Sequence, residues 1–254
     1  MQEAFQLINS PLGFLIYILC AILIGMSKGG IQNIGVLALP LFAFLFGTKH
    51  STGVILILLC FADIVAIIYF RKVFLWKEVK KLLPTAFIGI IGGVLLGRYI
   101  NDSIFKTIIG TSILLGIFSM FWLQNTTEKI HNKIIENRWY SPLFGVILGF
   151  TTMIGNAAGP TLSVYMLSKK LNKITFAATS AWFIMILNLS KVPLQAFLWK
   201  NLSLAGLYLN LLALPFVVLG VYIGIRLLKI LSESKFHTAI TWLVIFSALL
   251  LIVV

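Results

Sequence analysis

The feature that most constrains the fold is a polar, glycine-rich interruption inside a long apolar run near the start of the chain. Residues 25–35 read Gly-Met-Ser-Lys-Gly-Gly-Ile-Gln-Asn-Ile-Gly. Because Gly29 and Gly30 favour backbone conformations that a regular helix does not use, we expect a helix to break there. Lys28 lies beside this break, and a lysine at membrane depth indicates a functional site. The alternative is a simple kink, with Lys28 extending to an interface.

The composition of the whole chain is that of a membrane protein. Of its 254 residues, 60% are hydrophobic and 11% are charged, and the mean hydropathy is +1.04. Several apolar runs have about 20 residues, which is the length that crosses a hydrocarbon core. We therefore predict an all-α polytopic membrane protein in contact with lipid. A net charge of +13 would suggest nucleic acid as the partner of a soluble protein. Here the basic residues lie between apolar runs, which is typical of membrane orientation, so nucleic acid is not expected.

The apolar runs fall into two halves, and each half has a broken element followed by three spans. This arrangement predicts about six to eight spans in a conventional count. The first repeat is predicted at 1–124, a cytoplasmic linker at 125–139 and the second repeat at 140–254. The predicted broken elements are 13–46 and 140–168, and the predicted spans are 51–70, 82–99, 105–123, 175–198, 202–225 and 236–254.

Similar residues recur in the two halves, which indicates an internal duplication. The second break, residues 149–159, reads Gly-Phe-Thr-Thr-Met-Ile-Gly-Asn-Ala-Ala-Gly, and its outer glycines match those of the first break at an offset of 124. The sequence Phe-Leu-Trp-Lys at 74–77 recurs at 197–200. Small-residue stripes at four-residue spacing, which favour close helix packing, occur in both halves: Gly89, Gly93 and Gly97, then Gly220 and Gly224.

The distribution of lysine and arginine predicts that the second broken element turns back. If residues 140–168 crossed the membrane, each side would carry nine of these residues. If the element returns, one side carries fourteen and the other four, which marks the cytoplasmic side. Only the repeat predicts that the first broken element also returns. Each half then has three crossings, so the halves are inverted, as in many secondary transporters, and Val254 faces the outside.

The two breaks predict an anion site. Pro160 follows Gly159, and proline is favoured at the first position of a helix. A half-helix that starts there directs free backbone N–H groups and a positive dipole end towards the membrane midplane. By the repeat, residues 32–35 do the same, so the two helix starts and Lys28 form an electropositive cavity. The alternative is that the glycines serve only close helix packing.

Two further ionisable residues lie deep within predicted spans. Lys191 occurs in the sequence Asn-Leu-Ser-Lys-Val-Pro at 188–193, and Asp63 is the acidic residue at comparable depth. Lys191 is a candidate substrate ligand, and the alternative is an ion pair with Asp63 that only holds helices together. Asp63 is the candidate coupling residue, and either a proton or a sodium ion would be the coupling ion.

No sequence motif favours an enzyme. The histidines at 50, 131 and 237 fall in loops or at span ends, and neither HExxH, GxSxG nor a metal-spaced cluster of Cys and His occurs. We therefore predict no catalytic residue, metal site or cofactor. The alternatives to a transporter are a passive anion channel and a membrane assembly factor that transports nothing.

Both breaks resemble the motifs of the sulfite exporter TauE/SafE family (TSUP) of membrane transporters. The first motif is Gly-Met-Ser-Lys-Gly-Gly at 25–30 followed by Pro40, and the second is Gly-Asn-Ala-Ala-Gly-Pro at 155–160 with Asn188 and 191–193 behind it. The resemblance covers essentially the whole chain. It implies secondary transport of a small sulfur-containing or organic anion, such as sulfite, a sulfonate or sulfoacetate, across a prokaryotic cytoplasmic (inner) membrane. The second motif lacks the lysine of the first, so asymmetric substrate contacts are expected.

The predicted substrate site combines both breaks with two residues of the span that follows the second. The sequence leaves open whether the protein forms a homodimer. The predicted substrate-binding residues are Lys28, Gly29, Gly30, Gln32, Asn33, Gly155, Asn156, Ala157, Gly159, Asn188 and Lys191, with Asp63 as the coupling residue.

Overall fold

A computed structural model describes residues 10–97 and 128–253, together with the isolated positions 8, 99, 111 and 118. The predicted span at 105–123 therefore lies outside the described residues. Within the described ranges every regular element is helical, which confirms the prediction of an all-α protein.

The described helices follow the predicted order of broken elements and spans. A 3₁₀-helix at Ile34–Leu37 precedes the α-helix that begins at Ala38, and a π-helical turn at Leu194–Leu198 continues the α-helix that ends at Pro193. The α-helices are α1 (Pro11–Lys28), α2 (Ala38–Phe46), α3 (Thr48–Phe70), α4 (Trp76–Leu96), α5 (Glu128–Ile135), α6 (Tyr140–Gly155), α7 (Ala158–Ser168), α8 (Lys173–Pro193), α9 (Leu204–Ile230) and α10 (Glu233–Val253).

Several described helices are long and apolar enough to cross a membrane, which confirms a multi-pass membrane protein. They are α1, most of α3, α4, α8 with its π-helical turn, and α9. The helix α10 covers the last predicted span. Two differences from the prediction stand out: α4 begins at Trp76, six residues before the span predicted at 82–99, and the linker predicted at 125–139 contains α5. Charged residues do not prevent helix formation outside the hydrocarbon core, so hydropathy alone misses such turns.

Side-chain caps start several of the described helices. Ser10 accepts a hydrogen bond from the Gly13 N–H at the start of α1, and Pro11 occupies the first turn. Asn172 caps α8 by accepting from the Thr175 N–H, and Ser203 caps α9 in the same way. These caps satisfy N–H groups that have no partner inside the helix.

The second broken element is a helical hairpin. The Tyr140 hydroxyl at the start of α6 donates a hydrogen bond to Ser168 Oγ at the end of α7, at 2.9 Å. One turn inside, the hydroxyls of Ser141 and Tyr165 are 2.8 Å apart. The two ends of the element therefore lie side by side, as the distribution of basic residues predicted. The side of the membrane that they face stays a prediction.

The first broken element is a hairpin as well, although α1 by itself is long enough to cross a membrane. The Tyr17 ring near the start of α1 contacts the rings of Phe42 and Phe46 in α2, with centroids 5.7 and 6.1 Å apart. Because Phe46 is the last residue of α2, this helix runs back along α1 towards its start. Only the repeat between the halves predicted this return.

Each hairpin packs against a glycine-bearing helix from the other half of the chain. In the first hairpin, a Cβ atom added to Gly25 would overlap the carbonyl oxygen of Val217, and one added to Gly220 would overlap that of Ile22. The backbones of α1 and α9 therefore touch, with the Cα of Gly220 only 3.0 Å from the position of such a Cβ on Gly25. This close contact requires glycine on both helices.

The second hairpin repeats these contacts with α4. A Cβ on Gly149 would overlap the carbonyl oxygen of Ala86, and one on Gly89 would overlap that of Val146. The two sets of contacts correspond residue by residue. Adding 124 to the α1 positions and subtracting 131 from the α9 positions turns the first set into the second. Each hairpin thus packs on a helix from the other half of the chain. The inverted orientation of the repeats stays a prediction.

Candidate functional site

Both helix breaks are built on backbone conformations that a regular helix does not contain. In the first break α1 ends at Lys28, and Gly30 has a φ of 120°, a region that favours glycine. Asn33 follows with a left-handed φ of 72°, and Asn156 in the second break has a φ of 53°. Asparagine is among the few residues that adopt this conformation readily. The predicted helix break at Gly29 and Gly30 is therefore confirmed.

A half-helix starts within two residues after each left-handed asparagine, with no side-chain cap. The 3₁₀-helix begins at Ile34, and α7 begins at Ala158 after an Ala157 that has no side-chain oxygen. The prediction that this helix starts at Pro160 was wrong by two residues. Proline is tolerated throughout the first helical turn, because the N–H groups there have no intrahelical partner.

A cavity of about 50 Å³ lies where the two half-helices begin. By the same measure a water molecule needs about 10–15 Å³, so this cavity has room for a few waters or one small anion. Gly35 and Val36 from the first half-helix and Ala158 and Gly159 from the second all line it. The other lining residues are the polar Ser27, Lys28, Asn33, Thr152, Asn156 and Asn188, and the apolar Ile24, Leu39, Ile55, Leu59 and Ile184.

A second cavity of about 30 Å³ adjoins the first around the tips of the two hairpins. Asn33 and Gly159 line both cavities, and a Cβ on Gly159 would lie 2.8 Å from Asn33 Oδ1. Ser163 ties the tips together, since its hydroxyl accepts from Asn33 Nδ2 and donates to Gln32 Oε1, each at 3.0 Å. The residues that line the second cavity are Ser27, Lys28, Gly30, Gln32, Asn33, Gly159, Ala177, Ala181 and Ile184.

Lys28, which lines both cavities, forms a buried ion pair with Asp63. Its Nζ lies 2.7 Å from Asp63 Oδ1, and the two side chains are 7% and 0% exposed. Asn188 Nδ2 donates a hydrogen bond of 2.6 Å to the other carboxylate oxygen. Asp63 itself does not line either cavity, and it contacts the lining residues Lys28 and Asn188 from behind.

Lys191 is fully buried and is held by neutral groups. Its ammonium donates to the Thr152 carbonyl at 3.0 Å, to Thr152 Oγ1 at 2.9 Å and to Asn156 Oδ1 at 2.7 Å. These acceptors use all three N–H donors of the ammonium. The alternative that Lys191 pairs with Asp63 is therefore wrong. No acidic side chain of the described ranges lies within ion-pair distance of Lys191.

The two lysines occupy complementary positions in the two halves. When the two breaks are aligned at the offset of 124, Thr152 corresponds to Lys28. In the first half the lysine is on the broken helix, and its acceptor, Asp63, is on the next span. In the second half the lysine is on the span, and its acceptor Thr152 is on the broken helix. Each hairpin is thus bound to the following span through one ammonium group.

The structure brings most of the predicted substrate-binding residues together, although none of them is tested as a ligand. Lys28, Gly30, Gln32, Asn33, Asn156, Gly159 and Asn188 line the cavities, and Gly29, Gly155, Ala157 and Lys191 do not.

Two of these residues have a different structural role from the one predicted. Lys191 lies behind Thr152 and Asn156, so it positions lining residues and adds charge without contacting the cavity. Gly29 packs on α9, where an added Cβ would lie 3.0 Å from the Cα of Gly224. For Gly29 the structure therefore agrees with the alternative hypothesis that the glycine serves close helix packing.

Three polar residues at the cavities were missed in the sequence. Ser27 and Thr152 line the central cavity, and Ser163 joins the hairpin tips. Aligning the two breaks at the offset of 124 would have identified Thr152, because it matches Lys28. Ser163 lies outside both motifs and had no such signal.

Apolar spans around a polar cavity between two broken helices define a multi-pass helical membrane protein with an internal site. The chain belongs to the family described as Sulfite exporter TauE/SafE, whose match covers residues 17–251. This family is one of membrane transporters, which favours transport over catalysis. Comparisons with curated proteins and with solved structures give no match.

Proposed function

We propose that this protein is a secondary transporter of a small anion, such as sulfite, a sulfonate or a related organic anion, in a prokaryotic cytoplasmic membrane. One observation carries the proposal: Lys28 and the starts of two half-helices line a single cavity. Free N–H groups and positive dipole ends at helix starts favour anions. Broken helices that meet in this way are typical of secondary transporters built from inverted repeats.

The charges of the site support a monoanion. Lys28 and Asp63 offset one another, whereas Lys191 has no acidic partner in the described ranges. When all three groups are charged, they therefore sum to +1. Because an unbalanced charge is costly in a low-dielectric interior, a bound monoanion stabilises the site by bringing it to neutrality.

The two cavities support alternating access over a passive channel. The central cavity extends along α3 to Ile55, and the second extends along α8 to Ala177. Between them the hairpin tips meet at Asn33 and Gly159. We propose that this contact separates two access routes, and that relative movement of the hairpins opens one route while closing the other.

Asp63 is the proposed coupling residue. An anion that draws Lys28 towards the cavity leaves the Asp63 carboxylate without its countercharge at 0% exposure. A proton or a sodium ion at Asp63 would then restore the balance, since an unpaired buried carboxylate is strongly unfavourable. Binding of the anion and of the coupling ion would thus be linked through one ion pair.

Counterflow of labelled sulfite in proteoliposomes tests the transport function. A transporter shows saturable counterflow, a channel shows flux that neither saturates nor supports counterflow, and an assembly factor shows no flux. We expect counterflow for the unmodified protein and none for Lys28→Met. Lys235→Met is the matched control, because Lys235 is exposed, and it should transport normally.

Cysteine labelling tests the proposed topology of repeats 1–124 and 140–254 joined by a cytoplasmic linker at 125–139. Single cysteines at positions 133 and 170 should both label from the cytoplasmic side, and a tag after Val254 should be accessible from outside. Labelling of 133 and 170 from opposite sides would contradict the hairpin and the inverted repeat together.

A further inference from the structure

The orientation of the Asn188 amide in the central cavity is determined by its neighbour. Asn188 lines the cavity, is 1% exposed and donates through Nδ2 to Asp63. Asp63 Oδ1 also lies 2.7 Å from Lys28 Nζ, which is the geometry of an ion pair between an ammonium group and an ionised carboxylate. An ionised carboxylate only accepts hydrogen bonds, so the nitrogen of the amide must face Asp63 and Oδ1 must face away from it.

Asn188 Oδ1 is a buried acceptor with no hydrogen-bond partner among the described residues. Leaving such a group unsatisfied is unfavourable, and unsatisfied buried groups in folded proteins usually have a functional or solvent partner. The same side chain lines a cavity whose other polar features attract an anion. A partner for Oδ1 must bring a donor, which a fully deprotonated oxyanion does not have.

We propose that the transported anion carries an O–H group beside its negative charge, and that Asn188 Oδ1 accepts a hydrogen bond from it. This inference rests on the proposed function and narrows its substrate class. Suitable chemistry is a singly protonated oxyanion, such as hydrogen sulfite, or a small sulfonate or carboxylate with a hydroxyl group. Lys28 and the N–H groups at the half-helix starts bind the charged end, and Asn188 binds the O–H end.

Charge and size agree with this class independently of Asn188. When all three are ionised, the deep groups Lys28, Asp63 and Lys191 sum to +1, which matches a monoanion such as hydrogen sulfite or a hydroxyl-bearing sulfonate or carboxylate. A cavity of about 50 Å³ admits only a small anion. A dianion would leave the occupied site with a net negative charge, which is costly in this environment.

Binding of isosteric anions with and without a hydroxyl group tests the proposal. The purified full-length protein is titrated with hydroxymethanesulfonate and ethanesulfonate, which have equal charge and equal numbers of non-hydrogen atoms. Glycolate and propionate form a second pair of the same kind. We expect about tenfold tighter binding of the hydroxyl-bearing member of each pair, because the other member leaves Oδ1 unsatisfied.

Two substitutions of Asn188 test whether this residue causes the preference for the hydroxyl-bearing anions. Asn188→Leu and the smaller Asn188→Ala should both reduce the preference to about one. Gln195→Leu is the matched control: Gln195 lies on the same helical segment, is fully buried and has unpartnered amide atoms, but does not line either cavity. It should keep the preference of the unmodified protein.

Equal affinities within both pairs for the unmodified protein would overturn the proposal, and so would a preference that survives in the Asn188 variants. Either result, with anions still bound, leaves the transport function in place. Failure of all four anions and of sulfite to bind would instead contradict the proposed function.

Discussion

The two helix breaks have the same backbone design but carry their charge differently. Each has a left-handed asparagine, Asn33 or Asn156, followed by an uncapped half-helix that starts at the central cavity. The first break has a lysine that lines the cavity and an acid behind it. The second break has no charged residue, and Lys191 holds it from outside the cavity.

This difference separates two ways of attracting an anion. Lys28 can touch the ligand, but its charge is largely offset by Asp63 until that pair separates. Lys191 cannot touch the ligand without displacing Asn156 or Thr152, yet its charge has no acidic partner in the described ranges. The first lysine therefore suits a switch, whereas the second, when ionised, contributes a positive charge that no acid of the described ranges offsets.

The largest expected effect is on coupling at the first break. Asp63→Asn should abolish accumulation driven by an ion gradient and retain exchange of substrate across the membrane, because the amide cannot take up a proton or balance a sodium ion. Uptake and exchange of labelled sulfite in proteoliposomes measure the two activities. Unchanged uptake would place coupling elsewhere, and loss of exchange together with binding would make Asp63 a packing partner of Lys28.

The second effect is on stability at the first break. Lys28→Met leaves a buried carboxylate unpaired, so it should lower the free energy of unfolding by about 3–5 kcal/mol as well as abolish anion binding. The double variant Lys28→Met, Asp63→Asn should recover most of the stability but not the binding. Thermal unfolding in detergent measures this cycle, and additive losses would show that the pair is not coupled.

At the second break, replacing the lysine with methionine should weaken anion binding and have little effect on stability. Lys191→Met removes a unit charge near the cavity, and at an effective dielectric of about 20 this is worth about 2–4 kcal/mol, or roughly 100-fold in affinity. The lost hydrogen bonds are offset by relief of a buried charge, so the melting temperature should change little. Sulfite titration of both lysine variants measures the contrast. Unchanged affinity for sulfite would show that the charge of Lys191 does not contribute to anion binding.

The smallest expected effect concerns packing, in which the two hairpins are alike. Gly89→Ala and Gly220→Ala should each destabilise the protein by about 1–3 kcal/mol, because the added methyl overlaps a carbonyl of a hairpin. Gly92→Ala on α4 is the control. Its Cβ would meet Phe150 at an ordinary 3.9 Å, and alanine favours the helix by about 1 kcal/mol. Clearly unequal losses at Gly89 and Gly220 would contradict equivalent packing.

Much of the fold could be predicted because its causes are local. The hydropathy of each run predicts a span, Gly30 predicts a break, and the basic residues around 140–168 predict a hairpin. The start of α7 at Ala158 was misplaced because proline fits several positions of a first helical turn, so Pro160 does not identify the first residue of the helix. The helical start of α4 at Trp76 was missed because hydropathy does not detect polar helical turns.

The candidate site could be predicted only in part. The motifs identified residues at the cavities, including Lys28, Asn33 and Asn156, because glycines and amides within apolar runs have few other roles. They did not distinguish these residues from Gly29 and Gly155, which lie in the same motifs away from the cavities. Neighbouring residues of a helix face different directions, so a motif specifies a region and not a surface.

The sequence by itself determined the membrane class, the two breaks and the presence of three deep charges. Only the tertiary structure decided that Asp63 pairs with Lys28, that Lys191 is held by neutral oxygens, and that Asn188 has a free acceptor. The physical reason is that these contacts join residues 35 to 125 positions apart in the chain. Which side chains meet depends on how hairpins and spans rotate as they pack, and the glycine contacts between backbones set that rotation.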